Sequence, residues 1–199
     1  MANEIRQAEI SRKTGETEII IRLSLDGNGQ HQINTGIPFL DHMLSLLAVH
    51  SLCDLTVSAT GDLAVDDHHT VEDIGIALGQ AINQALGEKR GIVRYGSALI
   101  PMDESLVQAA LDISGRPYLM YQVPLGNNAI GGLSLENVAE FFQALANNAA
   151  MNLHIELIRG ANNHHIAEAV FKAFARAFKD AVSLEPRMQD VVWSSKGSL

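Results

Sequence analysis

The chain has 199 residues and a formal net charge of −9, with 47% hydrophobic residues, 19% charged residues and one cysteine. This length is enough to bury a core without disulfide bonds, and it fits one domain or two small fused halves. Apolar runs are shorter than the roughly 18 residues of a membrane-spanning helix. The acidic balance argues against nucleic acids and membranes as partners. The first residues lack the apolar region of an export signal, so we expect a cytoplasmic location.

The first half of the sequence predicts three strands, a helix, a fourth strand and a second helix. Alternating apolar residues indicate strands over 4–10, 18–25 and 31–35, and Pro38 favours the start of a helix that continues to about His50. Alternation over 52–58 indicates the fourth strand. The second helix is expected to begin near His68 and to end at Gly87.

The second half repeats this order. Strands are predicted over 96–100, 105–113 and 118–123, followed by a loop over 126–132, a helix capped within 134–137, a strand over 151–158 and a last helix capped by Asn162. Each half therefore reads β-β-β-α-β-α, which predicts an α+β fold with an internal duplication. We expect a single domain over 1–199, with pseudo-repeats over about 4–90 and 94–182 and a C-terminal tail over 183–199.

A motif with the pattern His-His-x-x-Glu occurs once in each half, within 66–73 and 164–168. At the start of a helix, the first His and the Glu are four residues apart and share one face. Adjacent imidazoles are separated by about 100° of helical rotation, so each is expected to reach a different ion. The repetition of the pattern predicts two metal sites. The predicted ligands in the motifs are His68, His69, Glu72, His164, His165 and Glu168.

Each site needs a further ligand from the helix that precedes its motif. His42 lies 26 residues before His68, and Glu140 lies 24 residues before His164. A carboxylate can replace an imidazole in a site of mixed oxygen and nitrogen donors, so Glu140 is the first candidate for the eighth ligand, with His154 as the alternative. Such donors accept Mn, Fe, Co or Zn.

Nine short segments carry a resemblance to a known family. They are Arg12–Thr17, Gly36–Leu44, Asp66–Asp73, Arg94–Gly96, Pro101–Glu104, Asp112–Pro117, Asn163–Glu168, Phe171–Arg176 and Ser194–Gly197. In this order they resemble the imidazoleglycerol-phosphate dehydratases of histidine biosynthesis, over nearly the whole chain. The resemblance implies a duplicated fold similar to the ribosomal protein S5 domain 2-like fold, with each sheet covered by helices on one face. It also implies two Mn²⁺ ions per active site, bound between subunits, in a homo-oligomer of 24 chains.

The resemblance implies a metal-dependent dehydration of D-erythro-imidazoleglycerol phosphate, a small phosphorylated imidazole, to imidazole acetol phosphate. Ions on both ring nitrogens would stabilise an imidazolate, whose electrons expel the neighbouring hydroxyl to give a diazafulvene. A base then removes the next proton. Glu16, which matches a substrate-contacting Glu of the family, is the first candidate for this base, and Glu168 is the second.

The substrate phosphate needs cationic side chains, which Arg94, Arg116 and Lys196 supply. The full set expected to contact substrate is Glu16, His42, His68, Arg94, Arg116, His164, Ser194, Ser195 and Lys196. Two alternative functions use the same metal ligands. A binuclear metal hydrolase would use the ions to activate water, whereas a non-catalytic metal-binding shell would need no cations for a substrate.

Overall fold

The computed structural model describes residues 6–189 and 191–197. The first half contains β1 (Gln7–Lys13), β2 (Thr17–Ser24), β3 (His31–Asn34), α1 (Pro38–Ser51), β4 (Asp54–Gly61) and α2 (His68–Leu86). The second half contains β5 (Tyr95–Met102), β6 (Ser105–Asp112), β7 (Tyr118–Gln122), β8 (Ala129–Ile130), β9 (Leu133–Ser134), α3 (Asn137–Ala149), β10 (Asn152–Arg159) and α4 (Asn163–Val182). A short 3-10 helix follows at Pro186–Met188. The strand predicted over 4–10 lies partly outside the described residues, and β1 extends to Lys13.

Two four-stranded sheets share one topology. Their strand orders are β1-β2-β4-β3 and β5-β6-β10-β7. In each sheet the first two pairings are antiparallel and the last is parallel. A parallel neighbour requires a crossover connection, and the helices α1 and α3 provide it. The matching connectivity confirms the predicted duplication of a β-β-β-α-β-α half.

The four helices lie between the two sheets. Burial alternates along β2 and β6, so each sheet presents one face to the helices. Helix α2 packs on β1 and β2, helix α4 packs on β5 and β6, and the helices pair as α2 with α3 and α1 with α4. Apolar residues from both halves form one continuous core. The prediction that helices cover one face of each sheet is confirmed. No helix in the described part of the chain is long and apolar enough to cross a membrane.

The contact between α2 and α3 depends on two glycines. A Cβ atom at Gly75 would lie 2.6 Å from the carbonyl oxygen of Phe141, and one at Gly79 would lie 2.6 Å from that of Leu145. Residues four apart share one face of a helix, so both glycines open the same side of α2. The backbones of the two helices therefore approach closely, which fixes the start of α2 against the start of α3.

A hairpin in the second half was missed by the sequence analysis. The segment 126–132, predicted as a loop, contains β8, which pairs with β9. Two-residue strands are too short to give a periodic pattern. The cap of α3 lies within 134–137 as predicted, at Glu136, although the side chain of this residue makes no capping hydrogen bond. The hydroxyl of Ser134 donates to Asp67 at 2.7 Å instead.

Candidate active site

The segment around β8 and β9 holds the starts of three helices at one end of the molecule. The backbone N–H of Phe39, in α1, donates to the carbonyl of Gly131 at 3.2 Å. The backbone N–H and hydroxyl of Ser134 donate to the carboxylate of Asp67, which precedes α2. The loop before β8 contacts the start of α4. Both His-His-x-x-Glu motifs lie at the start of a helix, so these contacts bring the two motifs to the same end of the molecule.

His42, His164 and Glu168 meet between helices α1 and α4, and we call them the α1–α4 cluster. Oε1 of Glu168 lies 3.2 Å from Nε2 of His42 and 3.0 Å from Nε2 of His164. One potential ligand atom from each residue lies within 4.8 Å of the others. The second oxygen of Glu168 accepts a hydrogen bond from Nζ of Lys172 at 2.5 Å. The predicted ligands His42, His164 and Glu168 are thus brought together within one chain.

The electrostatics of this cluster favour an anionic carboxylate. Burial raises the pKa of Glu168, but hydrogen bonds from Lys172, His42 and His164 outweigh burial and lower it to about 2. The cluster therefore offers one anionic carboxylate beside the nitrogen atoms of two histidine rings. This mixture of nitrogen and oxygen donors fits a divalent transition-metal cation.

His68 and Glu72 lie together at the start of α2, and with the predicted ligand Glu140 we call them the α2–α3 cluster. Nε2 of His68 lies 3.8 Å from the nearer carboxylate oxygen of Glu72. The other ring nitrogen of His68 lies 3.1 Å from Oδ1 of Asn137, at the start of α3. Glu140 is exposed one turn further along that helix. These contacts place α2 and α3 side by side at the first motif.

The alternative ligand His154 lies elsewhere. On β10 its neighbours Leu153 and Ile155 are buried towards the helices, so His154 faces the outer side of the sheet. Its ring centroid lies 5.6 Å from that of Tyr118. This position, away from the helix starts, favours Glu140 over His154.

The two rings of each motif are nearly perpendicular to one another. The ring planes of His68 and His69 meet at 85°, and those of His164 and His165 meet at 88°. That adjacent imidazoles reach different ions stays a prediction.

The second histidine of each motif contacts a carboxylate that the sequence analysis did not identify. Nδ1 of His69 lies 3.0 Å from Asp62, and Nδ1 of His165 lies 2.7 Å from Glu104. These hydrogen bonds raise the pKa of both histidines. The sequence pointed to these carboxylates only through the position of Glu104 in 101–104, one of the nine segments that carry the resemblance.

Glu16 lies in the turn between β1 and β2, next to the first motif. Its side chain is 54% exposed, and its carboxylate lies 3.7 Å from Nδ1 of His69. The hydroxyl of Thr14 accepts hydrogen bonds from the backbone N–H groups of Glu16 and Thr17. The hydroxyl of Thr17 in turn donates to Asp73 on α2 at 2.5 Å. These bonds fix the turn over the start of α2 and leave the Glu16 carboxylate accessible.

Arg94 lies at the far end of α4 from the motif. Its backbone N–H donates to the carbonyl of Ala181 at 2.8 Å, near the last turn of α4. At 1.5 Å per residue, the helix from His164 to Ala181 spans roughly 25 Å. The Arg94 guanidinium pairs with Asp112 and donates to the carbonyl of Trp193 at 2.7 Å. The hydrogen bond to Asp112 raises the pKa of Arg94. Arg94 therefore anchors the C-terminal tail to the second sheet.

The other predicted phosphate contacts lie at this same end. Arg116 is exposed in the turn between β6 and β7, and its carbonyl accepts a hydrogen bond from Asn152 at the start of β10. In the tail, the backbone N–H of Lys196 donates to the hydroxyl of Ser194 at 3.2 Å. Ser195 and Lys196 are exposed. One chain thus carries the predicted metal ligands at one end and the predicted phosphate contacts at the other.

The chain is similar to known proteins over most of its length. The family model described as imidazoleglycerol-phosphate dehydratase matches residues 35–178. The imidazoleglycerol-phosphate dehydratase of Syntrophomonas wolfei is 62% identical over 191 residues, which cover 96% of each chain. That of Synechococcus sp. (strain JA-3-3Ab) is 57% identical over 194 residues, 98% of this chain and 94% of that one.

Solved structures agree with this assignment. The Staphylococcus aureus imidazoleglycerol-phosphate dehydratase is 43% identical and superposes with a TM-score of 0.82, covering 90% of this chain and 99% of that one. The Pyrococcus furiosus structure is 36% identical with a TM-score of 0.82, covering 96% and 100%. Together with the family match, these similarities show that the chain belongs to the imidazoleglycerol-phosphate dehydratase family.

Proposed function

We propose that the chain acts in the cytoplasm and dehydrates D-erythro-imidazoleglycerol phosphate to imidazole acetol phosphate, a step of histidine biosynthesis. Membership of the family supports the reaction class, which is that of a carbon–oxygen hydro-lyase. The observation that carries the proposal is the α1–α4 cluster, where two imidazoles and an anionic carboxylate lie close enough to bind one cation.

Each chain would contribute to two Mn²⁺ sites. The α1–α4 cluster would hold one ion and the α2–α3 cluster the other. His69 and His165 contact Asp62 and Glu104 rather than the cluster that their own helix carries, so we assign them to sites completed by neighbouring chains. The donor set also accepts other divalent transition metals. When bound, the cations supply Lewis acidity to the imidazole ring of the substrate.

Proton removal from carbon needs a base within hydrogen-bond reach of the substrate. Glu16 meets this requirement best, because its carboxylate is exposed on a turn that is fixed over the first motif. Glu168 is the weaker candidate, because His42, His164 and Lys172 already engage both of its oxygens. A carboxylate held in this way is suited to binding and positioning rather than to proton transfer.

The substrate phosphate would be bound by Arg116, Lys196, Ser194 and Ser195, with Arg94 holding the tail in place. Roughly 25 Å of helix α4 separates these groups from the α1–α4 cluster of the same chain. One phosphorylated substrate cannot span that distance, so the active site would combine the metal clusters of one chain with the cations of another. We propose a homo-oligomer on this basis, and the figure of 24 chains rests on the family resemblance.

The central experiment is an assay with purified chain, Mn²⁺ and imidazoleglycerol phosphate. The proposal expects imidazole acetol phosphate as the product. Release of inorganic phosphate instead would identify a metal hydrolase. Binding of Mn²⁺ with no turnover would identify a metal-binding shell. Each alternative result overturns the proposed reaction.

Metal content provides a second test. Elemental analysis of Mn²⁺-loaded protein should give about two ions per chain, and the double variant His68→Ala, His164→Ala should lose most of them. Full occupancy in the double variant would contradict the ligand assignment. Because shared ligands couple metal binding to assembly, a chelator should also reduce the particle size seen by light scattering.

Two single variants separate chemistry from phosphate binding. Glu16→Gln keeps the shape of the side chain but removes the base, so kcat should fall roughly 10²- to 10⁴-fold with KM and metal content little changed. Arg116→Ala should act mainly by raising KM, since the phosphate is remote from the bonds that break. Near-normal kcat in Glu16→Gln would exclude Glu16 as the base.

A further inference from the structure

Glu104 occupies a turn that contacts both the start of α4 and the second histidine of its motif. Met102 and Ser105 are paired across the β5–β6 hairpin, which leaves Asp103 and Glu104 as the two turn residues. Asp103 takes a φ of 48°, a left-handed conformation that Asp tolerates better than most residues. This tight turn fixes the direction in which the Glu104 side chain leaves the sheet.

The two oxygens of the Glu104 carboxylate have separate partners. Oε1 accepts hydrogen bonds from the backbone N–H of Asn162 at 2.9 Å and of Ala161 at 3.3 Å, and from the hydroxyl of Ser105 at 3.0 Å. Oε2 lies 2.7 Å from Nδ1 of His165. An ionised carboxylate only accepts hydrogen bonds, so Nδ1 must carry a proton and donate it to this bond.

This pairing determines what the other ring nitrogen can do. A neutral imidazole with its proton on Nδ1 has a lone pair on Nε2, the form that binds a cation. The nearest carboxylate to Nε2 of His165 is that of Asp103, at 3.7 Å, beyond hydrogen-bond distance. Nε2 is therefore directed outwards with its lone pair available.

We propose that Glu104 is a positioning residue that holds His165 in the Nδ1-protonated tautomer and presents Nε2 to a divalent cation. The inference rests on the proposed metal binding of the motif histidines, and it assigns a role to a residue outside the ligand set. Partners of this kind orient metal-binding histidines in many proteins. His69 has an analogous bond to Asp62, so the arrangement occurs in both halves of the chain.

The two carboxylates differ in a way that makes the proposal testable. Oδ2 of Asp62 accepts from His69, whereas Oδ1 is buried and has no hydrogen-bond partner among the described residues. In Asp62→Asn the new NH₂ group can replace Oδ1, and the remaining oxygen can still accept from His69. In Glu104→Gln the backbone donors of Ala161 and Asn162 require the remaining oxygen at Oε1, so the NH₂ group must face His165.

Glu104→Gln should therefore reverse the tautomer of His165, while Asp62→Asn should leave that of His69 unchanged. Solid-state NMR of metal-free protein labelled with ¹⁵N-histidine distinguishes protonated from bare ring nitrogens, with His165→Ala used to assign the signal. Unchanged signals from the other histidines show that the variant is folded. Asp103→Asn, which changes the other residue of the same turn, serves as the matched control and should leave His165 unaffected.

Titration with Mn²⁺ alone gives the second readout. Affinity at one of the two sites should fall about 10- to 100-fold in Glu104→Gln and less than about threefold in Asp62→Asn. An unchanged tautomer in Glu104→Gln overturns the positioning role, even if the wild-type chain binds two ions and turns over substrate. Equal losses of affinity in both variants also overturn it. If the wild type binds no Mn²⁺ but Glu104→Gln reverses the tautomer, the metal assignment fails and the positioning role stands.

Discussion

Helices α2 and α4 begin with the same motif but hold its glutamate differently. The side chain of Glu168 is 10% exposed and paired with Lys172, whereas that of Glu72 is 46% exposed and lies 3.8 Å from His68. The residue four positions after the glutamate is Lys172 in α4 and Ile76 in α2. A lysine at this spacing can reach the carboxylate, and an isoleucine cannot neutralise it. The residue at this position therefore decides whether the glutamate is held by an ion pair before any cation binds.

The same two helices also pack differently. Seven residues after the first histidine, α2 has Gly75 and α4 has Phe171. The glycine lets the backbone of α3 approach, whereas Phe171 packs its ring 5.0 Å from that of Phe142. The helix of the first motif, α2, is thus positioned by close backbone contact with α3. The helix of the second motif, α4, is positioned by aromatic packing.

The β hairpins that begin each half differ in a third way. Glu104, in the β5–β6 turn, bonds to the second histidine of its motif, but Glu16, in the β1–β2 turn, remains 3.7 Å away because Asp62 takes that place. Asp62 therefore leaves Glu16 available for proton transfer in the proposed reaction. The two copies carry the same proposed metal ligands, and under the proposed reaction the difference in their neighbours gives each copy a separate role.

The largest expected effect on stability comes from removing the charge of Glu168 in metal-free protein, and Glu72 provides the comparison. Glu168→Gln should lower the free energy of unfolding by about 3 kcal/mol, because it leaves Lys172 mostly buried without its counter-charge. Glu72→Gln should change it by less than about 0.5 kcal/mol, since Glu72 is exposed. Urea unfolding in chelator measures both. Equal losses in the two variants would contradict the difference between the copies.

The stabilising effect of Glu168 is expected to depend on pH, and comparing wild type with Glu168→Gln measures this dependence. The pKa of Glu168 is lowered from 4.5 to about 2 in the folded chain. Its contribution to stability is therefore complete above pH 4.5 and is lost as pH falls from there towards 2. The difference in stability between wild type and Glu168→Gln should shrink over that interval. A constant difference would show that shape, not charge, accounts for the effect.

A smaller effect is expected from filling the space between α2 and α3. Gly75→Ala should lower the free energy of unfolding by about 2 kcal/mol, because the added Cβ collides with a backbone carbonyl and the helices must separate. The control is Gly15→Ala, where an added Cβ meets nothing within 4 Å. If both substitutions have the same small effect, the close contact is not what holds α2.

Much of this arrangement was predictable because local signals were strong. Pro38, Gly87 and Asn162 mark helix ends, and α1, α2 and α4 begin or end at these residues as expected. The repeated His-His-x-x-Glu pattern indicated both clusters. These features depend on residues that are close in sequence, which is why periodicity and capping rules detect them.

Other features depend on how separate strands and helices meet, and the periodicity of a single element does not report that. Asp62 and Glu104 reach their histidines from the ends of strands, 7 and 61 residues away in the chain. The separation of Arg94 from the predicted metal ligands follows from the direction of α4 across the second sheet. The β8–β9 hairpin was missed because each of its strands has only two residues.

The smallest expected effect on stability comes from placing a lysine four residues after Glu72 in α2, as Lys172 follows Glu168 in α4. Ile76 is partly exposed one turn after Glu72, so Ile76→Lys creates a glutamate–lysine pair at i,i+4 in the favourable order. Such a pair should add about 0.3 to 0.5 kcal/mol to the stability of metal-free protein. The new charge should also repel a cation, weakening Mn²⁺ at the α2–α3 cluster between about threefold and tenfold at a separation of about 6 Å in water. Ile76→Gln is the uncharged control. If both variants weaken Mn²⁺ equally, lost apolar contact is responsible; if only Ile76→Lys does, the charge at this position sets the difference between the two clusters.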